Sequence, residues 1–194
     1  MKIKVLSHNL FDDHMREMGL SDSNVENTNM VFISIIGTQE CLKYYLDEED
    51  TKHYFKDHSN VLNLDFDDIS SDVNYNGHIF KTMTMKQAED AVDFIEKNIS
   101  DKIDTVFIHC RAGMSRSRAF AEFICRYCQE NSVDADYEER NDYVMVLNQG
   151  VLRRLSHAYH KKNKMYEYVF DGTDYPSDLV NTVCRVIDTE KEET

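Results

Sequence analysis

Short apolar runs break an otherwise polar chain, and their spacing switches between two periods. Met30 to Ile36 is near-continuous, β-branched and closed by Gly37, the pattern of a strand covered on both faces. Thr105-Val106-Phe107-Ile108 is a second compact run of that kind, and Lys2 to Leu6 reads as another strand. Val61 to Phe66 alternates apolar and polar positions, and Asp67-Asp68 marks its carboxyl end. Helical spacing fills the gaps. Leu10 to Met18 predicts a short helix ended by Gly19, and Thr38 a cap for another through about Leu46, before an acidic turn at Asp47-Glu48-Glu49-Asp50. Thr84 followed by Gln87 resembles a capping box, and Ala88, Ala91, Val92 and Ile95 then keep one face to about Asn98. Arg116 to Gln129 carries an inner stripe of Ala119, Phe120, Phe123, Ile124 and Tyr127. Further helices are expected from Asp136 to Leu147 and from Val151 to about Tyr168, with Pro176 at the first position of a last one. Residues 21–27 and 69–79 are polar and read as loops.

Strands alternating with helices predict an α/β fold with a largely parallel central sheet flanked by helices. Residues 1–170 are expected to form a single domain. Residues 171–194 read as a C-terminal extension, a short helix and a frayed acidic end. In such sheets sites form outside the carboxyl ends of the strands, so Asp67, Asp68 and Cys110 are expected to share one crevice.

Composition narrows the partners. Asp and Glu total 36 against 22 Lys and Arg, a net charge of −14, which argues against nucleic acid and against anionic membranes. An anionic substrate then needs a local electropositive pocket. No apolar run reaches membrane-spanning length, and the amino end lacks the apolar stretch of a signal peptide, so the expected compartment is cytoplasmic. The five cysteines, at 41, 110, 125, 128 and 184, form an odd set without a disulfide framework. Cys125 and Cys128 are either packing residues or a redox partner for Cys110, and alone they do not make a zinc site. Arg153, Arg154, Lys161, Lys162 and Lys164 form a basic stretch, read as a solvated helix face or as the seat of a second phosphate or an acidic peptide.

The chemistry concentrates in His109-Cys110-Arg111-Ala112-Gly113-Met114-Ser115-Arg116-Ser117. A strand delivers the chain into a tight loop and a helix leaves it, so the N–H groups of residues 111–116 can curl around an oxyanion at the helix's positive end. Gly113 lets the backbone turn without a Cβ clash. Arg116 offers a planar fork of donors to two phosphoryl oxygens, and the same donors should depress the Cys110 pKa. Its thiolate would attack phosphorus in line to give a phosphocysteine, with Ser117 donating to the sulfur as it leaves. His109 is expected to hold the loop rather than act as a base. Arg111 and Met114 project from the loop, toward substrate or toward solvent. Neither a metal nor another cofactor is required.

Residues 109–117 resemble the signature of the protein tyrosine phosphatase superfamily, and the Ala112-Gly113-Met114-Ser115-Arg116-Ser117 ending is most similar to its dual-specificity branch. The helix before the loop's strand, and Asn148-Gln149-Gly150-Val151-Leu152-Arg153-Arg154-Leu155 after it, extend the resemblance over about residues 30–165. It implies Cys110 as nucleophile, Arg116 as phosphate binder, Ser117 as the thiolate-release hydroxyl, and an Asp as general acid. Asp68 falls where the family carries that acid, Asp67 is the second candidate because strand alternation can aim either inward, and Asp72 is the third. The interval from Asp68 to Cys110 is longer than the branch usually has, which lengthens loop 69–83. The implied partner is a phosphorylated protein or peptide, with phosphotyrosine foremost and phosphoserine or phosphothreonine in addition. Phosphoinositide or RNA 5′-phosphate hydrolysis, a non-catalytic phosphoresidue-binding module and sulfur transfer are the alternatives. The loop's only internal cation is Arg111, without the lysines that phosphoinositide-directed relatives carry. The oligomeric state is left open.

Overall fold

The structure, a computed structural model, describes residues 1–38, 52–137 and 147–163. Its centre is a five-stranded sheet of β1 (Lys2–Ser7), β2 (Met30–Ile36), β3 (Val61–Asp65), β6 (Thr105–Cys110) and β7 (Asp136–Tyr137), in the order β3-β2-β6-β1-β7. All four pairings are parallel. Among the described residues four helices flank it: α1 (His8–Glu17), α2 (Met85–Asn98), α3 (Arg116–Glu130) and α4 (Gln149–Lys162). The expected α/β class with a largely parallel sheet is what the chain forms. Among the described residues no helix is long and apolar enough to cross a membrane.

Strand alternation sorts the core into two layers. Val31, Ile33, Ile35, Val106, Ile108 and Cys110 turn toward α2, α3 and α4, where Ala88, Val92, Phe120, Ile124 and Leu155 meet them. The intervening Phe32 and Phe107 turn the other way, onto Phe11 and Met15 of α1. The chain moves toward the β3 edge through α1 and returns through α2 and α3, so right-handed crossovers put these helices on opposite faces. The carboxyl ends of β1, β3 and β6 consequently open on one side.

Several boundaries differ from expectation. α1 begins at His8 because the Ser7 hydroxyl caps it, accepting from the Leu10 N–H at 3.4 Å. A short 3₁₀ turn, Val25–Asn27, interrupts the loop at 21–27. Residues 69–79 are not loop throughout: β4 (Val73–Tyr75) and β5 (His78–Phe80) form an antiparallel hairpin. Its turn residues Asn76 and Gly77 have φ of 51° and 83°, the left-handed pair that a two-residue hairpin requires. At the two ends of the helix expected from Asp136 to Leu147, Asp136 and Tyr137 form β7 instead by pairing with Lys2 and Ile3 at the sheet edge, and Leu147 is not helical; residues 138–146 lie outside the described residues. α4 starts at Gln149, two residues before the expected Val151, because Asn148 caps it. The helix expected to follow Thr38, over 39–46, the acidic turn at 47–50, the end of the helix near Tyr168, Pro176 and the extension at 171–194 lie outside the described residues.

The capping box is present. Thr84 Oγ1 accepts from the Gln87 N–H at 3.2 Å, and Gln87 Oε1 accepts from the Thr84 N–H at 2.8 Å. Gln87 Nε2 also donates to the Asp65 carbonyl at 3.0 Å, tying α2 to the end of β3. Thr84→Ala removes one partner of this knot, and chemical denaturation is expected to show a loss of about 1 kcal/mol.

Candidate functional site

Cys110 is the last residue of β6, and Arg111 to Ser115 bridge it to α3. The bridge lies hard against the end of β1. Gly113 has φ of 67°, and a Cβ there would come within 2.6 Å of the Leu6 carbonyl carbon and 2.7 Å of the Ser7 nitrogen. Those are backbone atoms of a central strand and cannot give way, so only glycine fits. The His8 N–H donates to the Arg111 carbonyl at 3.2 Å beside this contact.

The Cys110 side chain is only 2% exposed, and its Sγ lies 3.1 Å from Ser117 Oγ in the first turn of α3. Burial pushes the thiol up. The Arg116 guanidinium, the Ser117 hydroxyl and the backbone N–H groups of Ser117 and Met114 outweigh that cost and hold it below its ordinary value. Arg116 is itself buried. Its Nη1 donates to the Phe66 carbonyl at 2.7 Å, while Nε is enclosed without a partner. Ser115 stands at the N-cap of α3 but makes no side-chain cap, because its hydroxyl is spent elsewhere. A cavity of about 260 Å³ opens over these groups, with Cys110, Arg111, Ala112, Met114, Ser115 and Arg116 on one side and Asp67, Asp68, Ile69 and Phe80 on the other.

The three acid candidates separate cleanly. Asp68 is exposed at the cavity, where its Oδ1 accepts from Ser115 Oγ at 2.8 Å and from Asn148 Nδ2 at 2.7 Å. Asn148 in turn caps α4, accepting from the Val151 N–H at 3.0 Å. Asp67 is 2% exposed, and both its oxygens are occupied. Oδ1 accepts from the Thr38 N–H, and Oδ2 from Thr38 Oγ1 and the Lys81 N–H, all within 2.8 Å. Asp72 accepts from the Thr82 N–H at 2.8 Å and does not line the cavity. Asp67 and Asp72 therefore root the hairpin, and Asp68 alone of the three carries an exposed carboxyl at the cavity.

His109, one residue from Cys110, faces the opposite side of the sheet. Its ring lies 4.2 Å from that of Phe11, and its Nε2 is 2.6 Å from Ser34 Oγ. Ser34 Oγ is 2.6 Å from His53 Nδ1, and His53 Nε2 is 2.7 Å from Asp65 Oδ1. A carboxylate only accepts, so His53 donates from Nε2, and in its neutral form it accepts at Nδ1. Ser34 then donates to His53 and accepts from His109 Nε2–H. Burial, followed by the neighbouring His8, His53 and Arg116, holds the His109 pKa well below its ordinary value, so this imidazole stays neutral. Sequence reasoning missed Ser34, His53 and Asp65. Ser34 was the available signal, a lone polar side chain in a buried strand and the register partner of His109.

Packing bears on two further expectations. Cys125 and Cys128 are free thiols, both pushed up to about 11 by burial first, and then by Glu122 and Cys128 at Cys125 and by Asp101 at Cys128. Such thiols are poor nucleophiles at neutral pH. In the basic stretch, Lys161 pairs with Glu89, and Lys162 with Asp93 and Glu96, binding α4 to α2, while Lys164 lies outside the described residues. Comparison with protein-family models, with curated proteins and with solved structures returns no match.

Two outcomes follow. An imidazole kept neutral in the fold protonates freely once unfolded, so acidification below the ordinary histidine range favours the unfolded chain by about 1.4 kcal/mol per pH unit. Denaturation at pH 7 and pH 5.5 should show His109→Gln losing about 1 kcal/mol less than the native protein across that interval, and parallel losses would mean that His109 charges in the fold. Nitrogen-15 shifts should find the His109 proton on Nε2. Asp65→Asn should move part of it to Nδ1, since the amide can also donate and reverse the chain of bonds.

Proposed function

We propose that this protein is a cysteine-dependent phosphomonoesterase of the protein tyrosine phosphatase superfamily, of dual-specificity type, acting on phosphotyrosine of protein or peptide substrates. One observation carries the reading: a buried thiol held below its ordinary value faces a cavity that also presents a buried arginine fork and an exposed carboxyl.

In this reading the phosphoryl oxygens sit against the N–H groups of residues 111–116 and the free donors of Arg116, at the uncapped amino end of α3. The Cys110 thiolate attacks phosphorus in line, forming the S–P bond as the ester P–O bond breaks. Asp68, protonated, gives its proton to the departing oxygen. Arg116 and the loop N–H groups stabilise charge on the equatorial oxygens. Water then attacks the phosphocysteine, Asp68 takes a proton back, and the electron pair of the S–P bond returns to sulfur, where the Ser117 hydroxyl receives it. Inorganic phosphate leaves. His109 takes no proton in the cycle. It is a positioning residue, supported by Ser34, His53 and Asp65.

The alternatives lack a supporting observation of their own. A phosphoinositide or a polynucleotide end would bring further anionic groups to the rim, where Arg111 is the only outward cation on the loop. The occupied carboxylate of Asp67 supports Asp68 over it as the acid.

Phosphate release from an aryl phosphate, with chelator and reductant present, tests the reading. Cys110→Ser should lower the rate by more than about 10³-fold. Asp68→Asn should lower it by about 10²-fold. The acid limb of the native protein should fall below the ordinary thiol range, since activity is lost as pH drops through the lowered Cys110 pKa. Release that survives Cys110→Ser would sink the proposal.

A further inference from the structure

Among the described residues, large apolar side chains stand exposed at five positions: Leu10, Val73, Tyr75, Ile79 and Met114. Four of these lie on the β4–β5 hairpin or on the loop after Cys110. The hairpin is also unusual in charge. From Val73 to Phe80 it contains no Asp, Glu, Lys or Arg, in a chain whose charged residues make up 30%. Exposed hairpins ordinarily guard their edges with charge, so one without Asp, Glu, Lys or Arg that exposes Val73, Tyr75 and Ile79 marks a surface suited to being covered.

The register shows which way that surface looks. Val73 pairs with Phe80 and Tyr75 with His78, so these four share one face, while Asn74 and Ile79 take the other. Phe80 lines the cavity over Cys110. Val73, 44% exposed, and Tyr75, 53% exposed, therefore continue the cavity's apolar wall outward, over about 7 Å of strand. The hairpin is not free to swing. Asp67 accepts from the Lys81 N–H and donates its own N–H to the Lys81 carbonyl, each at 2.7 Å. Asp72 holds the Thr82 N–H, and Thr82 Oγ1 donates to the Ile69 carbonyl at 3.1 Å. The wall is thus fixed beside Asp68 by the same segment that presents it.

We infer that this face is a specificity wall for an extended peptide, receiving an apolar side chain one or two residues from the phosphorylated one. The inference rests on the reading of the cavity as a phosphoryl site. Two residues of extended peptide span about the same 7 Å, so a flanking side chain reaches Val73 and Tyr75 when the phosphoryl group is seated. The wall offers no cation, and the net charge of −14 repels an acidic flank, so the favoured peptide is apolar and not acidic beside its phosphotyrosine.

The test uses the full chain on phenyl phosphate and on phosphotyrosyl hexapeptides carrying leucine, serine or aspartate at the flanking positions. Native kcat/KM should favour the leucine peptide over the aspartate peptide by about tenfold, and Val73→Ser with Tyr75→Ser should erase most of that preference. The doubly substituted protein should keep kcat/KM on phenyl phosphate within about twofold, which also reports that it is folded. A peptide preference unmoved by the substitutions overturns the inference while leaving the phosphatase reading intact. So does an equal loss on phenyl phosphate, or a dimer in sedimentation that the substitutions dissolve without changing the preference. No Cys110-dependent release from any ester fails the phosphatase reading itself, and the inference with it.

Discussion

Taking a thiol out of water favours its protonated form, and at Cys110 the surrounding donors have to overcome that preference. Each donor needs its own support. Arg116 brings a positive charge into the interior, which is tolerable because the Phe66 carbonyl at the end of β3 accepts from it. Ser117 reaches the sulfur because α3 starts where it does. The Met114 N–H reaches it because Gly113 lets the loop lie on the end of β1. The cavity is where β1, β3, β6 and α3 meet, and Asn148 brings the amino end of α4 to it through Asp68. The sheet's order makes such a convergence possible, since its parallel strands send their carboxyl ends to one side.

The period of two along a strand divides the labour. His109 and Cys110 are neighbours in the chain but face opposite layers, so the imidazole that meets Ser34 and Phe11 and the sulfur that faces the cavity never compete for space. The same rule separates Asp67 from Asp68. One is drawn inward to clasp Thr38 and Lys81, and the other is left at the rim between Ser115 and Asn148.

Where one local force dominates, the chain was legible. Buried runs such as Met30 to Ile36 have no alternative to a covered strand, and the Thr84–Gln87 box marks a helix start through bonds made within a single turn. The loop between Cys110 and Arg116 was legible for a similar reason: strand, loop and helix follow one another without a gap in the chain. The hairpin was missed although Asn76-Gly77 is a strong turn signal, because the Ser- and Asp-rich residues around it mask two short strands. β7 was missed because Asp136 and Tyr137 are strand only through their pairing with Lys2 and Ile3. The relay from Asp65 to His109 depends on three long-range contacts, and no pattern along the chain announces which of eight histidines will meet which hydroxyl.

The two helical thiols on α3 give the site a practical property. With pKa values raised to about 11, Cys125 and Cys128 hold only about one thiolate in 10⁴ at pH 7. Cys110, on the opposite side of its ordinary value, is far richer in anion. A mild, small electrophile offered at neutral pH therefore sees one sulfur among these three. A reporter group could then be installed at the cavity floor without first removing Cys125 and Cys128 by mutation.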